Sequence, residues 1–549
     1  MFFGIAAEDR EIPFFLTCYD KGVPYERSVV FGENSAEYFV NSATLRSGMK
    51  LSLFGENAAE IREFAIENIA PGERTVSLTA YLEPCLTEES AYEAHPAFAD
   101  LFLRLEYAEK ENVIIAHRKS RDSDREIYMC VGFKEAAAFN YSFSREDVNE
   151  YNQPLEFISK AGRGENCRNS VPSPCIFIDL PVKLQPNGKF STELFVCYGE
   201  SRGEVLGICH DIRSGKEETE PVSPLPKTTL QGQIARKILT PLIYRNVLCE
   251  EILNARTKLP VSALSRFGLG GNLPLLLYGY DGDSLNLEGT LLMLNGLSEC
   301  QLSAQLAVLC RNEAEQKRVS AILNESETVC TTIVESSLSE EERNLLLRSS
   351  VFILGKSEIK KPPEKLMEII PCEPLRDGRP EGFCDDSYIT DKKGHPWCHV
   401  LASRNFGCVL SQNSLGFSYA MNSRENKLTP WYNDIMHDNN GEMLLYKKGN
   451  DYYDIISGAR AVFSPNKADY YGKTGALEFH TAVRVFEKGM GKRLTITVKN
   501  NSAHEKLCPL SYYTEPIMGS DKGKSGYGAA LDFCEDGDSL IVRNRGNTD

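Results

Sequence analysis

Apolar residues along this chain recur mainly at every second position, the period of a half-buried strand, and one stretch of that pattern occurs twice. Residues 62–84 and 494–516 share the alternation, with Phe64-Ala65-Ile66 in one and Ile496-Thr497-Val498 in the other, each followed by a polar turn and another strand. A constant offset (510 − 78 = 432) pairs Leu51 with Val483, Leu53 with Val485, Phe54 with Phe486, Asn68 with Asn500, Tyr81 with Tyr513, Glu83 with Glu515 and Pro84 with Pro516. Such self-similarity marks an internal duplication and predicts two sandwich units. Counting back places Met1 opposite Asn433, so the first unit is expected to lack its opening strands and the second to stop within a strand pattern after Cys534. Natural sandwiches avoid such open edges, so a fragment of a longer protein, or one piece of a split enzyme, is expected.

The pattern changes between the copies. Glu217 to Lys227 is charged and carries Pro221, Pro224 and Pro226, a linker composition. Leu230, Ile234, Ile238, Leu242, Val247 and Ile252 then fall at helical spacing. From Leu273 to Leu354, strand-like runs at Leu275–Tyr278 and Gln305–Leu309 alternate with helix-like runs at Glu288–Leu297 and Glu313–Leu323. Ser339 and Glu342 form a capping box for a helix over Glu340–Arg348, ahead of a strand at Val351–Leu354. Lys360 to Pro380 reads as a basic linker. The prediction is a multidomain, mainly β chain: residues 1–222 a first β-supersandwich-like domain, incomplete at its start, residues 223–384 a helical and small α/β module, and residues 385–549 a second supersandwich, incomplete at its end.

Composition adds limits. The 549 residues are 42% hydrophobic and 9% aromatic, enough for three or four domains with their own cores. A net charge of −16 argues against nucleic-acid or anionic-membrane partners and suits a neutral ligand. The 17 cysteines are scattered, and Cys18, Cys130, Cys310 and Cys330 sit in apolar runs, so they read as reduced core thiols. The eight histidines have no metal-ligand spacing, and His95 before Pro96 reads as a strand-end residue. With no signal peptide and no membrane-length apolar run, a cytoplasmic location is expected.

The densest chemistry lies in residues 422–434, Asn-Ser-Arg-Glu-Asn-Lys-Leu-Thr-Pro-Trp-Tyr-Asn-Asp, which come after two strand-like runs at Phe406–Ser411 and Gly416–Ala420. Sugars offer paired hydroxyls and an apolar ring face, which planar bidentate groups and an aromatic plate complement. Residues 397–434 resemble the β-supersandwich of glycoside hydrolase family 94, formerly glycosyltransferase family 36, whose Asn-Ser-Arg-Glu-Asn-Arg-Leu-Thr-Pro-Trp-x-Asn-Asp motif is matched here nearly residue for residue. Ala94-His95-Pro96-Ala97-Phe98 and Gly268-Leu269-Gly270-Gly271-Asn272-Leu273-Pro274 are similar to segments of its β-1,2-glucan branch, the oligoglucan phosphorylases and cyclic glucan synthases. Gly270 and Asn272 depart from that pattern, and the segment reads as a turn.

The resemblance implies a carbohydrate-binding, noncatalytic portion of a β-glucan phosphorylase or cyclic β-1,2-glucan synthase. Asn422, Arg424, Glu425, Asn426, Thr429, Trp431, Asn433 and Asp434 would line or brace a site for a β-glucan or oligosaccharide. The family's general acid lies on an (α/α)6 barrel, which does not fit in the thirty residues after Gly519. That barrel would belong to the same parent protein or to a partner chain, in a possible homodimer or as the other part of a split phosphorylase. No catalytic residue is assigned, since Glu515 and Asp532 read as surface charges, and neither metal nor cofactor is expected. Inorganic phosphate would be a co-substrate if the assembly is a phosphorylase.

Overall fold

The structure is a computed structural model that describes residues 1–7, 13–17, 25–32, 35–54, 59–88, 91–92, 95–119, 125–135, 137–149, 158, 166, 173–215, 242, 249–259, 261–270, 273–299, 302–324, 328–354, 369–390, 396–431, 434, 436–438, 441–520, 529–533 and 539–544. It divides into two compact units: residues 1–221, 390–398 and 432–440 in the first, residues 222–389, 399–431 and 441–549 in the second. The chain is mainly β, as its period-two pattern predicts.

The first unit contains β1 (Phe2–Ala7), β2 (Phe14–Phe15), β3 (Glu26–Phe31), β4 (Ser35–Asn41), β5 (Leu45–Leu53), β6 (Ala59–Asn68), β7 (Arg74–Leu82), β8 (Leu103–Ala108), β9 (Val113–Lys119), β10 (Glu126–Phe133), β11 (Asn140–Ser144), β12 (Pro174–Leu184) and β13 (Lys189–Gly199). They form a five-stranded sheet, β11-β12-β7-β1-β2, and an eight-stranded sheet, β3-β4-β5-β6-β13-β10-β9-β8. One core gathers Phe3 and Ile5, Leu45 and Met49, Phe64 and Ile66, Val76, Leu78 and Ala80, and Ile176 and Ile178. These pairs stand two or four residues apart along their strands, so each strand sends one face inward. Each of these larger side chains, Ala80 aside, contributes about 1.5–3 kcal/mol once buried. The helix Arg202–Arg213 presents Val205, Ile208, Cys209 and Ile212 to a second cluster with Ile61, Val113, Ile115 and Phe195. Ser201 caps it by accepting from Glu204 N at 3.1 Å.

The second unit opens with a parallel sheet, β16-β15-β14-β17, of β14 (Leu275–Gly279), β15 (Gln305–Cys310), β16 (Val329–Val334) and β17 (Ser350–Leu354). The helices Ser284–Glu299, Glu313–Leu323 and Glu340–Ser349 lie between successive strands, the first longer than its predicted Glu288–Leu297 core. The capping box at Ser339 and Glu342 is formed. Most of the predicted helical stretch 229–256 and the linker 217–227 fall outside the described residues, which include Leu242 and a short helix at Glu250–Asn254.

Two short strands lie within the expected 360–380 linker. β18 (Ile369–Pro371) runs parallel to β26 (Asp451–Asp454), and β19 (Glu373–Pro374) runs antiparallel to β28 (Lys467–Thr474). With β20 (Gly382–Cys384), β21 (Ser387–Thr390), β27 (Arg460–Ser464), β29 (Leu477–Val485) and β30 (Lys492–Asn500), β19 and β28 make a seven-stranded sheet. β22 (Cys398–Ala402), β23 (Phe406–Ser411) and β24 (Phe417–Ala420) form a three-stranded sheet, and β25 (Glu442–Lys448) joins β18, β26 and β31 (Leu510–Thr514) in a four-stranded one. β32 (Ala529–Phe533) pairs with β33 (Leu540–Asn544).

The duplication is visible in the ladders. Val30↔Glu37, Glu37↔Lys50 and Met49↔Phe64 of the first copy recur as Val462↔Asp469, Asp469↔Ala482 and Thr481↔Ile496, each 432 positions later. Even the turn after β6 is repeated. Asn68 Oδ1 accepts from Ala70 N at 3.0 Å and its amide donates to Gly72 O at 2.8 Å, while Asn500 does the same toward Ser502 N at 2.9 Å and His504 O at 2.8 Å. Tyr81 bonds Glu83 at 2.5 Å as Tyr513 bonds Glu515 at 2.6 Å. β1 takes on β7 the place that β25 takes on β31, with Phe2 opposite Tyr81 and Met443 opposite Tyr513.

His95 differs from its expected strand-end role. It is the N-cap of the short helix Pro96–Asp100, and its Nδ1 accepts from Phe98 N at 3.2 Å. Cys130 and Cys310 are buried free thiols and Cys330 is half-buried, whereas Cys18 lies outside the described residues. Among the described residues no helix is long and apolar enough to cross a membrane, and no His, Cys, Asp and Glu side chains gather as a metal site.

Candidate functional site

The polar loop hangs from the hairpin β23–β24, whose register sets Phe406 against Ala420 and Val409 against Phe417. Gly416 closes that hairpin with a φ of +65°, and a Cβ there would strike the Val409 carbonyl. Beyond β24 the chain turns at Met421, which also has positive φ, and Asn422 then organises the next four residues. Its Oδ1 accepts from Arg424 N at 2.8 Å and Glu425 N at 3.1 Å, an Asx-type turn. Its carbonyl accepts from Asn426 N at 3.0 Å, and Asn426 O accepts from Ala420 N at 3.0 Å. The local cause is sequence: short amides bond backbone two and three residues ahead more readily than longer side chains do.

This leaves Asn422, Arg424 and Glu425 exposed as a polar rim, with Arg424 Nε 3.2 Å from the Glu425 carboxylate. Planar donors and acceptors thus stand side by side in water, the arrangement that can take adjacent hydroxyls. Leu428 N donates to Ser418 O at 2.8 Å, returning the chain along β24.

Thr429 is buried, and its hydroxyl accepts from Ser418 N at 2.9 Å and donates to Glu442 Oε1 at 3.0 Å. Glu442, at the start of β25, is 2% exposed. It also accepts from Ser418 Oγ at 2.8 Å and Tyr512 Oη at 2.8 Å, and Lys492 Nζ, itself buried, pairs with its other oxygen. Burial, with the Glu442 carboxylate beside it, pushes the Tyr512 phenol above its ordinary value. Trp431 lies half-buried and stacked on Phe417, with ring centroids 4.6 Å apart and planes 8° from parallel. Thr429 and Trp431 therefore brace the loop from within its own unit.

Asp434 belongs to the other unit, where the short stretch 432–440 packs. Its Oδ2 accepts from Arg145 Nη2 at 2.9 Å and lies 3.3 Å from His437 Nδ1, while Oδ1 accepts from Met436 N at 2.8 Å. Burial works to raise the Asp434 pKa, but the bonds from His437 and Arg145 win and hold it well below the usual carboxylate range. Arg145 also reaches Glu83 at 3.4 Å. Burial pushes nearby Asp100 up to about 6, against the pull of Arg145. Asn433 lies outside the described residues. Seven of the eight candidates thus fall into three settings: the exposed rim of Asn422, Arg424 and Glu425 with half-buried Asn426 closing its turn, the internal braces Thr429 and Trp431, and the ion cluster that holds Asp434. Glu442, Lys492 and Arg145 were not singled out by the sequence, which carries no local signal for a carboxylate buried in a strand or for partners nearly three hundred residues apart.

The supersandwich domain of glycosyl hydrolase 94 matches residues 13–214 and 386–529. The cyclic β-(1,2)-glucan synthase NdvB of Rhizobium meliloti is 22% identical over 625 aligned residues, covering 96% of this chain and 22% of that protein's length. Among solved structures, a polysaccharide lyase has a TM-score of 0.23 at 11% identity, over 38% of this chain and 27% of that one. The GH36 α-galactosidase AgaB of Geobacillus stearothermophilus has a TM-score of 0.18 at 11% identity, over 64% and 58%.

Proposed function

We propose a carbohydrate-binding, noncatalytic role for this chain, which belongs to the glycoside hydrolase 94 family through its supersandwich domain. The ligand is a β-glucan, and the polar rim at Asn422, Arg424 and Glu425, with Asn426 closing its turn, takes its hydroxyls. One observation carries this reading: an exposed guanidinium–carboxylate pair, Arg424 and Glu425, stands on a turn fixed by Asn422 and braced below by Thr429 and Glu442. A preformed polar surface loses little entropy on binding, which favours recognition of a flexible oligosaccharide. A cytoplasmic setting fits the free, mostly buried thiols. Calorimetric titration with β-1,2-glucooligosaccharides tests the proposal. Binding by the wild type that weakens about tenfold or more in Arg424→Ala is expected, with loss of one charge-assisted hydrogen bond of about 1.5–3 kcal/mol. Equal affinity in both proteins would reject the rim as the site.

A second reading makes this chain the obligate noncatalytic subunit of a phosphorylase or transferase. The (α/α)6 barrel would then be on another chain, with inorganic phosphate as co-substrate. Phosphorolysis that arises only when the two chains are mixed would select that reading.

A further inference from the structure

The two copies differ in which strand edges are covered. In the first, β6 lies between β5 and β13, β7 between β1 and β12, and β9 between β8 and β10. In the second, the counterparts of β6 and β7 are β30 and β31, which pair with β29 and β25 on one side only among the described residues.

The counterparts of β8 and β9 are also present. Leu105-Glu106-Tyr107 and Ile114-Ile115-Ala116 align with Leu531-Asp532-Phe533 and Leu540-Ile541-Val542 at a shorter offset (531 − 105 = 426). The register Leu105↔Ala116 and Tyr107↔Ile114 recurs as Leu531↔Val542 and Phe533↔Leu540. β33 too has a strand on one side only among the described residues.

Side chains report the same difference. Val498 and Leu510 are each 37% exposed, whereas their counterparts Ile66 and Leu78 are each 2% exposed beneath the first copy's full sheets. Apolar strand faces left in water beside open edges are the surfaces that strand addition uses.

We propose that β30, β31 and β33 together are the docking surface for one polypeptide segment with the pattern of β10–β13. Its first strand pairs with β33 and its last with β30, so that these two bridge β30 and β33 within one sheet. Its third strand pairs antiparallel with β31, carrying the second beside it. One occupant satisfies three edges because, in the first copy, four successive strands do the same. In that copy Leu180 faces Leu78 and Phe190 faces Ile66, so apolar residues of the incoming strands would face Leu510 and Val498. This inference is independent of the carbohydrate reading and stands if the rim binds nothing.

Hydrogen exchange of the full chain tests it, with a synthetic peptide of residues 174–199, the β12–β13 hairpin, as the probe. Saturable slowing of amide exchange in β30 and β31, by about tenfold or more, is expected with this peptide. A scrambled peptide should give none, and Val498→Lys/Leu510→Lys should abolish the effect. No slowing would overturn the proposal. So would protection already present in the dilute free chain, or protection that grows with protein concentration alone, which would assign the edges to a second copy.

Discussion

Replacing Glu442 with Leu tests whether the loop is braced from below. The substitution removes the acceptor of Ser418 Oγ, Thr429 Oγ1 and Tyr512 Oη and the anion opposite Lys492. Stranding a buried charge costs about 3–5 kcal/mol. Lys492 Nζ is buried but its long side chain is 7% exposed, so a rotamer change can carry the ammonium to water and the low end applies. Each hydroxyl left without an acceptor adds about 1 kcal/mol where water cannot reach, which holds for Ser418 and Thr429 and not for half-exposed Tyr512. The expected loss is about 4–5 kcal/mol. Adding Lys492→Met removes the stranded cation and should return about 2–3 kcal/mol of it, a non-additivity that pairing alone produces. The chain has two tryptophans, so a Trp397→Phe background leaves Trp431, stacked on Phe417 beside Thr429, as the only one. Urea unfolding followed by its fluorescence reads the transition of that unit. A double variant no more stable than Glu442→Leu, or a single variant within about 1 kcal/mol of the background, would refute the bracing role.

Arg145→Met should destabilise the first unit by about 3 kcal/mol at pH 7.5, since Asp434 and Glu83 lose their cation. Asp434 is held below its unfolded value, so its contribution is present above about pH 4 and lost as pH falls from there toward the folded value; calorimetric melting should show the deficit nearly constant down to about pH 4 and shrinking below it. Asp100 has the opposite sign: with a folded pKa of about 6 against 3.8, its ionisation costs stability as pH rises from about 4 through 6. Asp100→Asn should therefore gain on wild type by roughly 1 kcal/mol between pH 5 and 7.5 after solvent screening, read from the same melting curves. The repeated turn gives an internal comparison. Asn68 is fully buried and donates as well to the Leu184 and Gln185 carbonyls, whereas Asn500 is exposed, so Asn68→Ala should lose about 2–3 kcal/mol and Asn500→Ala under about 1 in chemical denaturation, although both hold the same turn.

Local and periodic features were legible in the sequence. The capping box at Ser339 and Glu342 is decided within four residues, and the duplication by a period-two pattern that holds for a whole hairpin. The repeat is hidden at β32 and β33 because the offset falls from 432 to 426 between β31 and β32, and a constant shift cannot cross that change. The loop's composition pointed to polar recognition, and Asn422, Arg424 and Glu425 do stand in water, because a short amide can bond its own neighbours and leave the rest outward.

Only the tertiary structure decided the remainder. Thr429 and Trp431 carry the same motif as the rim yet serve Glu442 and Phe417, and Asp434 is claimed by Arg145 from 289 positions away. Residue type states what a side chain can bond. Which partner meets it, and whether water competes, is fixed by strands that the chain brings together across hundreds of residues, where burial makes a paired charge keep its partner and an open edge keep its exposed face.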